Sequence, residues 1–92
     1  MYKLLIVEDD FIIAKGLQKH FEKYHYDVQY IEDFEHVLDE FLEFQPDLVL
    51  LDIHLPFFDG YYWCQEIRKI SQVPIVFISS ANENMNIVLA MN

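Results

Sequence analysis

The sequence predicts a single α/β domain built on a parallel sheet with helices on both faces. Short continuous apolar runs alternate along the chain with longer segments of helical periodicity. The runs are rich in branched residues, which is typical of strands that are covered on both sides. Strand and helix patterns that alternate in this way indicate a doubly wound fold, and we expect the strand order 2-1-3-4.

Four strands are predicted, each followed by a helix. The continuous apolar runs at residues 4–7, 48–51 and 75–78 are expected to be buried strands. Residues 28–31 mix polar and apolar side chains, so we place this weaker strand at an edge of the sheet.

Helical periodicity appears after each strand. The predicted apolar faces consist of Ile13, Leu17, Phe21 and Tyr24 in the first helix, of Phe34, Val37, Leu38, Phe41 and Leu42 in the second, and of Trp63, Ile67 and Ile70 in the third. Their spacing follows the i, i+3, i+4, i+7 pattern of one helix face. The third helix is expected over residues 61–71, and a fourth from near Glu83 to Asn92.

Composition excludes several functional classes. The chain has 92 residues, of which 53% are hydrophobic, enough for one small core and too many for a disordered chain. Its formal net charge of -10 repels DNA and anionic membranes, so nucleic-acid binding by this segment alone is not expected. Gly16 and Gly60 are its only glycines, which excludes a dinucleotide-binding fingerprint and a P-loop.

The expected compartment is the cytoplasm. A single cysteine, Cys64, excludes an intrachain disulfide and fits a reducing environment. No run approaches the roughly 20 apolar residues of a membrane span. The apolar run near the N-terminus is too short for a signal peptide.

Acidic residues follow two of the buried strands at the point where each strand ends. Glu8 and Asp9 come directly after the first strand, and Asp52 comes directly after the third. Strands 1 and 3 are neighbours in a 2-1-3-4 sheet, and their carboxyl ends flank the crevice in which such folds bind ligands. We therefore expect the three carboxylates to converge on one small site.

Convergence of three carboxylates is energetically costly without a cation. Two unit charges about 4 Å apart repel by about 4 kcal/mol at an effective dielectric constant near 20. Carboxylate, backbone and water oxygens suit Mg²⁺. A zinc site is not indicated, because the histidines are scattered along the chain and unpaired with Cys64; they are His20, His25, His36 and His54.

Each polar residue at the strand ends also has a purely structural interpretation. Asp9 or Asp10 could cap the first helix, and Asp59 before Gly60 fits a turn residue better than a ligand. Ser79 closes the fourth strand, where its hydroxyl could simply bond to backbone or could act at the same edge of the sheet, one strand beyond Asp52.

Three segments resemble the receiver domains of two-component response regulators. Residues 5–10 are similar to that family's first strand with its acidic pair, and residues 74–79 to its fourth strand with a terminal Ser or Thr. Residues 52–60 fit the family signature D-x-x-[ML]-P-x-x-[DN]-G at every defined position. The resemblance covers the whole chain and implies a flavodoxin-like fold.

The resemblance also implies roles for individual residues. Asp52 would be the phosphoacceptor, and Asp9, Asp52 and the backbone carbonyl of His54 would bind Mg²⁺ directly. Glu8 would act through water, and Ser79 would move toward the new phosphoryl group. The donor would be a sensor histidine kinase or a small acyl phosphate.

Receivers usually continue into a fifth strand that carries a phosphate-binding lysine, and then into a fifth helix. Both are expected to be missing, so residues 1–92 are expected to form a C-terminally truncated receiver without its output domain. Ser80 stands where a small apolar residue is common. Residues 59–64 are similar to regulators with a winged-helix DNA-binding domain that respond to cell-envelope antibiotics, so transcription is the expected output and DNA the partner of the absent domain only.

A missing fifth strand would leave one edge of the fourth strand open. Such an edge is a template for pairing, and we expect self-association through it.

Two other functions stay open. One is a Mg²⁺-dependent phosphohydrolase with Asp52 as a turnover nucleophile, although His54 takes the place where such sites usually carry a second acid. The other is a pseudo-receiver, an interaction module that is not phosphorylated. His54 could tune dephosphorylation or simply be a solvated loop residue.

Overall fold

The computed structural model describes residues 1–79 and the backbone of a strand at residues 86–89. The elements in chain order are β1 (Lys3–Val7), α1 (Phe11–Glu22), β2 (Asp27–Tyr30), α2 (Val37–Phe44), β3 (Leu48–Asp52), α3 (Gly60–Arg68), β4 (Ile75–Ser79) and β5 (Asn86–Leu89). The four predicted strands and the first three predicted helices are confirmed, with boundaries that shift by a few residues.

The strand order of the sheet is β2-β1-β3-β4-β5. β1 to β4 are parallel to one another, as the sequence predicted, and β2 lies at an edge. In the register of the sheet, Leu4 pairs with Val28 on one side and with Leu48 on the other. β1 and β3 are therefore direct neighbours, and their carboxyl ends lie at the same edge.

The prediction of a helix over residues 83–92 is wrong for residues 86–89, which form β5. This strand is antiparallel to β4, with Phe77 opposite Val88. Ile87 and Val88 are β-branched and suit a strand, and they pair with backbone groups of β4 that would otherwise lie at an open edge.

β5 corrects two further expectations. A fifth strand is present, although it is antiparallel and carries no lysine. The edge of β4 is paired along Val76–Ser79, so it is not open for the self-association that we expected through it.

The two faces of the sheet bury two separate apolar clusters. Leu5 and Val7 of β1 point to the side covered by α2 and α3, where Trp63 and Ile67 pack against them. Leu4 and Ile6 point to the opposite side, which Ala14 of α1 covers. This alternation along β1 is what a sheet covered on both faces requires.

Parts of the predicted apolar helix faces lie outside the core. Phe34 precedes α2 but packs against the core cluster on that side of the sheet, whereas Leu42, inside α2, is 51% exposed. Tyr24 and Ile70 follow the ends of α1 and α3 and are 60% and 52% exposed. α1 and α3 end before Tyr24 and Ile70, so the last apolar residues of these two patterns lie beyond their helices. Leu42 is helical and lies on the solvent side of α2.

None of the helices in the described part of the chain has both the length and the apolar character needed to cross a bilayer.

The core predicts a sharp difference between two isoleucines near the end of α3. Ile67 has no exposed surface, whereas Ile70 is 52% exposed. We expect Ile67→Ala to lower the free energy of unfolding by about 2–5 kcal/mol, because it leaves a cavity between α3 and the sheet. Ile70→Ala should change it by less than about 0.5 kcal/mol. Urea unfolding of both variants checks this, and equal losses would contradict the packing described here.

Candidate functional site

Three carboxylates meet at the carboxyl edge of the sheet. Glu8 and Asp9 follow β1, and Asp52 ends β3. These two strands are paired along their length, and the last pair before the site is Val7 with Leu51. One carboxylate oxygen from each of the three acids lies within 4.8 Å of the others. The predicted convergence is therefore confirmed, and it follows from the parallel register of two adjacent strands.

The three acids differ in their exposure to solvent. Glu8 and Asp52 are buried, with 2% and 1% of their surface exposed, while Asp9 is exposed. The backbone N–H of Asp10 donates to Glu8 Oε2 over 2.9 Å, and the backbone N–H of His54 donates to Asp52 Oδ1 over 3.3 Å. Backbone donors thus orient both buried carboxylates, and Asp9 closes the site toward solvent.

Of the two adjacent aspartates, Asp10 caps α1. Its Oδ1 accepts hydrogen bonds from the backbone N–H groups of Ile12 and Ile13, over 3.0 and 3.3 Å. These donors are among the N–H groups that the first turn of a helix leaves without an intrahelical acceptor. The alternative that the sequence left open is thereby resolved, because Asp10 takes the capping role and Asp9 joins the acidic cluster.

The loop that follows Asp52 turns back on itself before α3 begins. The backbone N–H of Phe58 donates to the carbonyl of Pro56 over 2.9 Å, and Phe57 between them has a φ of 69°. Asp59 then caps α3 by accepting from the backbone N–H of Tyr62 over 2.9 Å, so it is a structural residue, as the sequence suggested. A left-handed backbone at an aromatic residue is unfavourable and indicates that its neighbours hold the turn in place.

Two further predicted site residues, Ser79 and His54, lie at the expected edge of the sheet. Ser79 is half-buried at the end of β4, one residue beyond Ile78, which pairs with Asp52. The side chain of His54 is exposed, as expected of a solvated loop residue. Ser80 lies outside the described residues.

The site suits a hard divalent cation. All three side chains offer oxygen, the ligand that Mg²⁺ prefers, and two of them are buried where a cation would offset their charge. Within the part of the chain that the structure describes, this is the one group of three or more metal-ligating side chains. Cys64 is not among these side chains, and burial raises the pKa of its thiol, which disfavours the thiolate form that soft metals bind.

A parallel sheet whose strand ends bring three carboxylates together defines a doubly wound α/β protein with an acidic site at its carboxyl edge. The chain belongs to the family described as "Response regulator receiver domain", whose profile matches residues 4–92.

Curated relatives agree with this assignment. The chain is 53% identical over 91 residues to the "Uncharacterized transcriptional regulatory protein YvcP" of Bacillus subtilis, and the match covers 99% of this chain and 38% of that protein. It is 44% identical over 89 residues to the "Response regulator protein GraR" of Staphylococcus aureus, with coverage of 97% and 40%. The chain thus spans about two-fifths of the length of these relatives.

Solved structures share the fold. The N-terminal domain of the nisin resistance regulator NsrR, described as a lantibiotic response regulator, matches with a TM-score of 0.81 and 45% identity, covering 94% of this chain and 73% of that one. A chain in the complex of histidine kinase ThkA with response regulator protein TrrA matches with a TM-score of 0.79 and 29% identity, covering 89% and 72%.

The crowding of negative charge predicts that Asp9→Asn stabilises the protein when divalent cations are absent. The substitution keeps the size of the side chain and removes repulsion from Glu8 and Asp52, so the free energy of unfolding in chelator-treated, low-salt buffer should rise. Urea unfolding at neutral pH measures this free energy for the variant and for wild type.

Asp10→Asn is the matched control for this prediction. It removes the same unit of charge one residue further along the chain, and Asn still caps the helix. We expect no gain in stability from it, because the charge that it removes lies favourably near a helix N-terminus. Equal gains in the two variants would show that net charge, rather than the cluster, is responsible.

Proposed function

We propose that this domain accepts a phosphoryl group on Asp52 in a Mg²⁺-dependent reaction and acts as the receiver of a two-component signalling pathway. The observation that carries the proposal is the meeting of Glu8, Asp9 and the buried Asp52 within 4.8 Å at the carboxyl edge of the sheet. The family to which the chain belongs supports it.

The residues present would hold the cation with oxygen ligands. Asp9, Asp52 and the backbone carbonyl of His54 would bind it directly, and Glu8 would do so through water. When bound, Mg²⁺ would offset the charge of the carboxylates and of the incoming phosphoryl oxygens. The proposed ligands come from two adjacent strand ends, so folding brings them together before the ion arrives.

Asp52 supplies the nucleophile. A carboxylate oxygen of Asp52 attacks phosphorus, the bond from phosphorus to the donor breaks, and an acyl phosphate forms. With phosphohistidine as donor, the bond that breaks is P–N and the imidazole leaves with its electron pair. The hydrogen bond from the backbone of His54 to Oδ1 holds the carboxylate in one orientation, which favours a single line of attack.

Ser79 is proposed to bind the product. It ends β4, the strand beside β3, and therefore lies at the same edge of the sheet as Asp52. A hydrogen bond from this hydroxyl to a phosphoryl oxygen would link the new group to the end of β4. Movement of Ser79 toward that group would then report phosphorylation to the rest of the domain.

The proposed partner is a sensor histidine kinase, and the proposed compartment is the cytoplasm, where ATP is available to that kinase. The solved complex of a histidine kinase with a response regulator, one chain of which shares this fold, supports the partner. Control of transcription is proposed for a longer protein that would contain this domain. YvcP is described as a transcriptional regulatory protein, and the likeness to a lantibiotic response regulator supports the subgroup that responds to cell-envelope antibiotics.

Phosphorylation of the isolated chain tests the central step. We expect wild type with Mg²⁺ and a small acyl phosphate to gain one acid-stable, base-labile phosphoryl group per chain, and Asp52→Asn to gain none. Intact mass spectrometry before and after mild base measures both. Continuous turnover of a phosphate ester would favour a phosphohydrolase, and a wild type that stays unmodified would favour a pseudo-receiver.

Metal binding has its own test in the two adjacent aspartates. Asp9→Asn should weaken Mg²⁺ binding by at least about tenfold, because a charged ligand becomes a neutral amide. Asp10→Asn should leave the dissociation constant within about twofold of wild type, since Asp10 caps α1 and its side chain is not in the cluster. Isothermal titration calorimetry with MgCl₂ gives both constants. Equal losses would mean that general electrostatic attraction, rather than a defined site, binds the ion.

A further inference from the structure

The backbone of Gly60 lies against the backbone of Asp52. A β-carbon added to Gly60 would overlap the carbonyl oxygen of Asp52, and it would lie 3.0 Å from both the carbonyl carbon of Asp52 and Cα of Ile53. All three atoms belong to the main chain, which cannot rotate away as the end of a flexible side chain can. There is therefore no room for a side chain at this position.

Close approach, rather than backbone conformation, is what requires glycine here. The structure describes no glycine with a positive φ, so other residues could adopt the φ of Gly60. The sequence predicted that the third helix begins at residue 61, but Gly60 is the first residue of α3. Its role is to let the start of α3 pack directly on the end of β3.

Both sides of this contact are held in place. The backbone N–H of Gly60 donates to the carbonyl of Ile53 over 2.9 Å, and Trp63 and Ile67 anchor α3 in the core with 5% and 0% of their surface exposed. On the other side, β3 pairs with β1 and β4, and Asp52 itself pairs with Ile78. An added methyl group would thus push on Asp52 from an anchored helix.

A β-carbon at Gly60 would press on Asp52 and not directly on Glu8 or Asp9. Those two residues follow β1, and none of the three atoms nearest to the added β-carbon belongs to either of them. A displacement of the Asp52 backbone would therefore change the distance between its carboxylate and the other two. The distance across the site depends on how closely α3 approaches β3.

We propose that Gly60 is a positioning residue for Asp52. By carrying no side chain, it sets how far the Asp52 carboxylate projects toward Glu8 and Asp9, and so sets the geometry of the cation site and of the attacking oxygen. The consequence of this inference for phosphoryl transfer rests on the proposed function. Its consequence for cation binding can be measured without any transfer.

Gly16 provides a matched control. It lies inside α1, and a β-carbon added there would meet no atom within 4 Å. Gly16→Ala should raise stability, because alanine favours the helix and loses less backbone freedom on folding. It should leave the Mg²⁺ dissociation constant and the rate of phosphorylation unchanged.

The test compares Gly60→Ala, Gly16→Ala and the double variant at a temperature at which urea unfolding shows each to be folded. For both variants that carry Gly60→Ala we expect weaker Mg²⁺ binding by calorimetry, and slower phosphorylation by roughly 100-fold, the size of effect that a misplacement of about 1 Å can have. The loss should fall on the maximal rate rather than on the half-saturating donor concentration, since Gly60 does not reach the donor.

The double variant separates positioning from lost stability. If Gly60→Ala acted only by destabilising the fold, the added stability of Gly16→Ala would restore Mg²⁺ affinity and rate, and the inference would be overturned. Wild-type affinity and rate in Gly60→Ala alone would overturn it as well, because α3 would then have withdrawn without moving Asp52. If wild type binds Mg²⁺ but takes up no phosphoryl group, the proposed function fails, and the Mg²⁺ affinities still decide the role of Gly60.

Discussion

Repulsion among three carboxylates is the constraint on which this structure depends. Glu8, Asp9 and Asp52 bring their oxygens within 4.8 Å of one another, and two of the three are buried. Such an arrangement opposes folding unless hydrogen bonds and a cation offset the charge. Burial of the apolar residues of β1 and β3, which lie at the centre of the sheet and both end at the site, offsets the repulsion between the carboxylates. The same crowding of carboxylate oxygens suits the site to a hard cation.

Several elements around the site hold its carboxylates in position. Asp10 ends the β1–α1 connection with a helix cap, and its own N–H orients Glu8. Asp59 caps α3 at the end of the loop that follows Asp52, and the backbone N–H of His54 in the same loop orients Asp52. Gly60 then lets α3 pack on the end of β3 without a side chain between them. Each connection both terminates a strand and fixes a carboxylate, which explains why so short a chain can build a defined site.

Much of this arrangement could be predicted from the sequence. Continuous apolar runs indicated buried parallel strands, and acids directly after two of them indicated convergence, because parallel strands end at one edge. Which of Asp9 and Asp10 caps α1 was not predictable, since both are suitable caps and only the path of the backbone decides. The contact of Gly60 with Asp52 was missed because it joins residues across a loop, and no local pattern encodes that distance. At residues 86–89 a short apolar segment suits either a helix or a strand, and pairing with β4 decides for the strand.

The most direct test of the account is the dependence of wild-type stability on Mg²⁺. If the carboxylate cluster binds this ion in the folded state, the free energy of unfolding should rise with Mg²⁺ concentration, by about 1.4 kcal/mol for each tenfold increase above the dissociation constant. NaCl at matched ionic strength should produce a smaller rise that levels off, because it only screens the charges. Identical effects of MgCl₂ and NaCl at equal ionic strength would contradict the claim that these three side chains form a cation site.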